Sequence, residues 1–347
     1  MSNNNQKGNT MKKINKILIG SIFALTTYSS ANDIDVVQTV ASFNEIRPAN
    51  MAMSKDGRIF VTGHPIVNSN TKVLELSLNG TKTIYPNKEY SDSSNGNNSV
   101  IKATIGVTVD NKNNLWVLDM GSKQFVVWNI KENKLNKIIK IPENVLTPTS
   151  FLQDFALDEK RNRIIIADMT QGDLKSAPTP AFVVIDTITG KSSRIAQNHP
   201  SMMPDFEGGF ALNPITIDSN FEWIYFGALN GKMIYKVSAS SFNDEKEVIK
   251  NIKEYAPKPY SDGIKVDKNK NVYITDIENQ AIGVSNKNGY KIIATLPKDQ
   301  SWPDGLEIGN DGYIYAVINQ LNRTAALNKG KDESTGTYLI VKTPLIK

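Results

Sequence analysis

Over short stretches throughout the chain, apolar residues alternate with polar ones, give way to a polar turn, and return as a β-branched or aromatic run. Alternation with a period of two places apolar side chains on one face of a strand, and the polar cluster after it reverses the chain. Ser261–Asn279 (SDGIKVDKNKNVYITDIEN) shows the unit most clearly. Ile264 and Val266 alternate with polar neighbours, Asp267 to Asn271 form the turn, and Val272-Tyr273-Ile274 run into a second strand that stops at Asp276. The same unit recurs in Met51–Gly63, Gly106–Gly121, Asp154–Asp168, Pro214–Gly227 and Gly305–Val317.

Aligned on the residue that opens each turn (Ser54, Asp110, Asp158, Asp218, Asp267 and Gly309), the period is irregular, about 42 to 60 residues, near the spacing of propeller blades. Six units predict an all-β protein built as a six-bladed β-propeller, each blade a four-stranded sheet. Between the units, Asp33–Ala41 reads as a strand leading into blade one. Lys88–Ser99, rich in Ser and Asn, reads as a long exposed loop, and Phe242–Tyr255 as the one helical or irregular excursion. Thr337–Lys342 reads as a late strand. Pairing the two terminal segments in one sheet would close the ring and cover two free edges.

The domain expectation is an N-terminal extension and signal peptide over residues 1–31 and a single propeller over 32–347. Met11–Ala31 has a basic start, an apolar stretch from Ile17 to about Thr27, and small residues at Ser29 and Ala31, the pattern of an export signal cleaved after Ala31. The apolar run is shorter than the roughly 20 residues that span a bilayer. The polar Met1–Thr10 stretch is consistent with initiation at Met11. Export to the periplasm or beyond is therefore expected, with no stable membrane insertion after cleavage.

The leader also changes how the charge is read. The net charge is +5, but Lys7, Lys12, Lys13 and Lys16 lie in the leader and no acid precedes Asp33, so the mature chain carries +1. A nearly neutral chain gives no reason to expect a nucleic-acid partner. There is no cysteine, which rules out disulfides and thiol chemistry. Nothing points to a second domain, and a monomer is expected.

Arg47-Pro48-Ala49-Asn50-Met51, Gly57-Arg58-Ile59-Phe60 and His64-Pro65 resemble the opening of the major royal jelly protein/yellow family in its bacterial branch. So do Leu115 to Asp119 with Gly121, Phe151 to Asp154, Ile224 to Gly227, Ser261-Asp262-Gly263, Glu278 to Gly283, Trp302-Pro303-Asp304 and Asn319 to Arg323. The resemblance implies a secreted six-bladed propeller, in agreement with the repeat. Function in that family is mixed: some members are associated with dopachrome conversion, others bind small amines in the central channel, and others are nutritional or structural. More distantly, the blade pattern resembles the gluconolactonase/senescence-marker propellers, which hold a catalytic divalent metal with Asn and Asp side chains.

Residues just before the innermost strand of a blade lie near the channel. Here Gln153-Asp154, Asn213, Asp262 and Asp304 hold those places in blades three to six, with Asn50 nearby in blade one. Oxygen ligands of this kind suit Ca²⁺ or a similar divalent cation, and two histidines with no cysteine make a zinc cluster a poor fit,. The lactonase resemblance implies Asn213, Asp262 and Asp154 as metal ligands, but its blade-one carboxylate has no counterpart at Ala49-Asn50. Asp304 or Asp154 is the candidate catalytic base. Asn50, His64, Gln153, Trp302 and Asn319 are candidate ligand contacts. Each of these has a plain structural alternative, since a short acid or Asn before a strand caps a turn. Trp116, Trp223 and Tyr273 are expected in the core between blades. No Ser-triad, zinc-protease or phosphate-loop motif occurs,. The leading expectation is a small polar or aromatic ligand bound in the channel; the alternative is a metal-dependent lactonase or dopachrome-type isomerase.

Overall fold

The acids that open the turns hold them shut. Asp267 Oδ1 accepts the backbone N–H groups of Asn269 and Asn271, both at 2.8 Å. Asp110 Oδ1 accepts those of Lys112 and Asn114 at 2.9 and 2.8 Å. These are the local bonds that favour Asp and Asn in turns, and they explain why the repeat is visible at these positions. The computed structural model describes residues 34–67 and 69–347. The leader expected over residues 1–31 lies outside the described residues, and residues 34–347 form one compact unit.

Six antiparallel sheets of four strands follow one another along the chain. The first strand, β1 (Gln38–Phe43), stands apart from its neighbours in sequence. Blade one is β2 (Pro48–Met53), β3 (Ile59–Gly63), β4 (Val73–Leu76) and β5 (Lys82–Ile84); blade two is β6 (Thr104–Val109), β7 (Asn114–Asp119), β8 (Gln124–Asn129) and β9 (Lys134–Lys140). Blade three is β10 (Leu152–Asp158), β11 (Arg163–Asp168), β12 (Ala181–Asp186) and β13 (Ser192–Ile195). Blade four is β14 (Leu212–Ile217), β15 (Trp223–Ala228), β16 (Met233–Ser238) and β17 (Lys253–Pro257); blade five is β18 (Ile264–Val266), β19 (Val272–Asp276), β20 (Ala281–Asn286) and β21 (Gly289–Thr295). Blade six is β22 (Pro303–Ile308), β23 (Tyr313–Ile318) and β24 (Tyr338–Pro344), completed by β1 on its outer edge.

The N-terminal strand therefore belongs to the last blade rather than leading the first. Its pairing runs from Gln38 opposite Lys342 to Phe43 opposite Tyr338. Arg47, just after β1, is buried and ties the same closure. It donates to the carbonyls of Asn319 and Gln320 at 2.7 and 3.0 Å and to Tyr338 Oη at 2.7 Å.

The core lies between blades. Phe125 of blade two meets Phe155 of blade three edge-on at 4.9 Å, and Phe182 of blade three meets Phe226 of blade four at 5.0 Å. Trp116 and Tyr273 are buried in these layers as expected, whereas Trp223 is half-buried. Two expectations for connections are revised. Lys88–Ser99 holds α1 (Lys88–Ser91), capped by Asn87, and its Ser91, Asp92 and Ser99 are buried. The later excursion holds α2 (Glu245–Asn251), capped by Asp244, but Lys253–Pro257 returns as a strand. Among the described residues no helix is long and apolar enough to cross a membrane.

Candidate functional site

In five blades the ladder between the two innermost strands slips at the start of the first, a β-bulge at Pro48/Met51, Thr104/Val107, Leu152/Asp154, Leu212/Ile215 and Pro303/Leu306. In blade five the matching residues lie just before β18. Bulges re-aim side chains out of the pleat, and here they form two rows around the upper channel. The first is Ala49, Ile105, Gln153, Asn213, Asp262 and Asp304; the second is Asn50, Gly106, Asp154, Pro214, Gly263 and Gly305. The glycines are a matter of space. A Cβ on Gly305 would sit 2.1 Å from Asn50 Oδ1, and one on Gly263 2.2 Å from the Asp304 carbonyl oxygen.

The polar members of these rows bond to one another. Asp262 Oδ1 accepts from Asn213 Nδ2 at 2.9 Å and Gln153 Nε2 at 3.3 Å, and Asp262 Oδ2 accepts from Trp302 Nε1 at 2.7 Å. Asp304 Oδ2 accepts from Asn319 Nδ2 at 2.6 Å, and the same amide reaches the Pro48 carbonyl at 3.1 Å. His64 Nδ1 accepts the Ile66 N–H at 3.2 Å, so the neutral ring carries its proton on Nε2, which lies 3.9 Å from Asp304 Oδ2. Asn50 Nδ2 points at Asp154 Oδ2 from 3.4 Å, and Asp154 Oδ1 accepts the Phe155 N–H at 2.8 Å. The nine expected residues of this belt thus fall into three bonded groups: Gln153, Asn213, Asp262 and Trp302; His64, Asp304 and Asn319; and Asn50 with Asp154. Asn319 is fully buried behind Asp304 and lines neither space, so it is a support for Asp304 rather than the ligand contact expected of it. Blade two contributes Ile105, which is apolar.

Burial governs the ionisation of the belt. It raises the Asp262 carboxyl above the ordinary carboxylate range, against the pull of Trp302, Asn213 and Gln153. It raises Asp304 further, helped by the charge of Asp262. Asp154 faces the channel lumen but is walled by the blades, and desolvation lifts it to about 7. His64 is pushed down to about 3 by burial and then by the Arg47 charge, which keeps the ring neutral.

The belt separates two spaces. On the side where the innermost strands begin, a cavity of about 30 Å³ is closed in by His64, Ile66, Phe151, Met169, Leu174, Trp302, Leu321 and Leu327, with room for about one or two waters. On the other side the channel widens to about 640 Å³ and reaches Asn111, Ser219, Asn269 and Asn310 at the strand ends. Two residues past the bulges, a further row lines this larger chamber: Thr108, Ala156, Thr216, Lys265 and Glu307. Lys265 Nζ donates to Glu307 Oε2 at 2.9 Å. Burial works against the Lys265 charge, but Glu307 and then Asp154 outweigh it and hold its pKa above the ordinary lysine value. Sequence reasoning missed this pair. Its signal is present in Ile264-Lys265-Val266 and Leu306-Glu307-Ile308, opposite charges at one register of neighbouring blades.

As arranged, Asn213, Asp262 and Asp154 do not fit a divalent cation. Both oxygens of Asp262 face N–H donors, whose positive ends would repel such an ion. Among the described residues no three His, Cys, Asp or Glu side chains are grouped to hold a metal. The one buried oxygen in this set without a partner is Asn213 Oδ1.

A family model described as major royal jelly protein matches residues 100–344. No protein of curated function matches the sequence significantly. Among solved structures, a gluconolactonase from Xanthomonas campestris superposes with a TM-score of 0.57 at 11% identity, covering 89% of each chain. Virginiamycin B lyase from Staphylococcus aureus superposes with a TM-score of 0.54 at 14% identity, covering 88% of this chain and 98% of the lyase. At these identities the likeness concerns the fold.

Proposed function

The chain belongs to the major royal jelly protein family, and on that premise we propose that it is an exported propeller that binds a small polar or aromatic ligand in its central channel. The observation that carries this reading is the larger chamber. It is a concavity of about 640 Å³ floored by Gln153, Asn213, Asp154, Asp262 and Asp304, and a few convergent polar groups in a cavity of this size are what binding sites present. The ligand belongs on that side of the belt, because the opposite space, at about 30 Å³, is too small for one. Hydrogen bonds to the floor fix orientation, and the free edges of the six innermost strands supply further donors and acceptors.

The test is a calorimetric screen of small amines, polyols and aromatic compounds against the purified mature chain. Saturable binding that Asp154→Asn and Asn213→Ala weaken supports the reading. Absence of binding, or binding indifferent to both changes, refutes it. A second reading, turnover of a lactone or a dopachrome-like ring, draws on one observation: Asp154 is held at about 7, poised to take and return a proton near neutrality. Product formation in the same screen, lost in Asp154→Asn, would favour it. No step in it passes through a metal.

A further inference from the structure

Two lysines line the chamber below the belt among the described residues: Lys268 is exposed in a turn, whereas Lys265 is held within the wall by Glu307, which fills only one of its three donors,. Asp154 stands close enough for its charge to be felt at Lys265. Its Oδ2 receives only the 3.4 Å approach of Asn50 Nδ2. Asn213, which is 2% exposed, lines the chamber with a buried Oδ1 that no group satisfies. Leaving a buried acceptor unmade is costly, so this oxygen calls for a donor from a guest. Two acceptors and one cationic donor therefore line the same chamber, on successive rows of its wall.

We propose that this part of the chamber is the head-group site of the channel and that it takes a small zwitterion, an α-amino acid type of ligand, with its carboxylate on Lys265 and its ammonium between Asp154 and Asn213 Oδ1. The proposal rests on the channel-binding reading above and narrows it. A simple amine would satisfy Asp154 and Asn213 but bring a second cation beside Lys265. A simple carboxylate would satisfy Lys265 but enter beside Glu307 and Asp154 with nothing to offer Asn213 Oδ1. Only a ligand carrying both charges side by side meets each partner without a like-charge neighbour left uncompensated.

The test uses three compounds that share one body: L-phenylalanine, 2-phenylethylamine and 3-phenylpropanoate, titrated calorimetrically into the mature chain at pH 7.5. The expected result is that the amino acid binds at least about tenfold more tightly than either analogue. Lys265→Met should lower its affinity about tenfold or more, whereas the amine, freed of a like charge, should bind at least as tightly as before. Because Lys265→Met strands Glu307, the double variant Lys265→Met/Glu307→Gln is measured too, with circular dichroism as the check on folding, and should show the same loss. An analogue that binds as tightly as the amino acid overturns the proposal, as does failure of all three to bind. Binding of the amine alone overturns the proposal yet leaves the channel-binding reading standing. Failure of every compound in the wider screen removes both.

Discussion

Trp302 Nε1 donates to Asp262 Oδ2 at 2.7 Å, and this single bond joins the apolar closure of the small cavity to the polar belt beneath it. Trp302→Phe keeps a ring in that closure and deletes the donor. Asp262 would lose one of its three N–H partners in a buried place, at a cost of about 1.5–3 kcal/mol for a bond to a charged group. Urea unfolding should show a lower midpoint with an unchanged slope. An unchanged midpoint would mean that the bond contributes nothing.

Asp154 makes the folded state costly at high pH. Its carboxyl is raised from 3.8 to about 7, so between those values the native state binds a proton that the unfolded chain has released. Stability contributed by this group therefore falls as pH rises through that window, by at most about 4 kcal/mol. Asp154→Asn should be close to wild type at pH 4 and more stable above pH 7. Parallel stability–pH curves for the two proteins would rule this out.

His64 has the opposite sign. Its pKa is lowered from 6.5 to about 3, so between those values the unfolded chain binds a proton that the native ring refuses. Stability is then lost as pH falls below about 6.5, by up to roughly 1.4 kcal/mol per pH unit. His64→Asn retains an acceptor for the Ile66 N–H and cannot ionise. Its acid limb should be flatter than that of wild type in urea unfolding at pH 4 to 6; equal limbs would count against the assignment.

Gly305→Ala tests the crowding of the upper channel. Its Cβ would meet Asn50 Oδ1 at 2.1 Å, and that oxygen is fixed because it accepts the Met51 N–H at 2.8 Å. Overpacking of this kind costs about 1–3 kcal/mol. The substitution should lower the melting temperature by several degrees and weaken any channel ligand, whereas Gly57→Ala, with open space around it, should lower the melting temperature alone, through backbone strain at positive φ,.

The repeat was legible because each turn carries its own chemistry: Asp110 and Asp267 bond backbone groups within their own few residues. The belt was legible for a related reason. Asp262-Gly263 and Asp304-Gly305 sit where a strand begins and where a neighbouring blade leaves no room for a side chain. Lys265 and Glu307 were hidden because alternation separates the two faces of a strand without saying what lies beyond them. Water around the protein and water in a channel produce the same polar pattern. The helix at Lys88–Ser91 was hidden by composition, since the Asn and Ser that suggest a loop also cap short helices,.

The pairing of β1 with β24 sets an order of events during synthesis. β1 precedes the strands of every blade in the chain, yet its partner, Tyr338–Pro344, follows them. Until β24 is made, β1 has unpaired backbone groups and Phe43 lacks the blade-six half of its packing, from Tyr315 to Ile340, so the ring closes only after every other blade has its own strands. Contacts of such long sequence separation form late and slowly. The nascent chain is therefore an open arc of blades with an unmet strand at each end, and its need for protection from self-association is greatest just before its last strand is made.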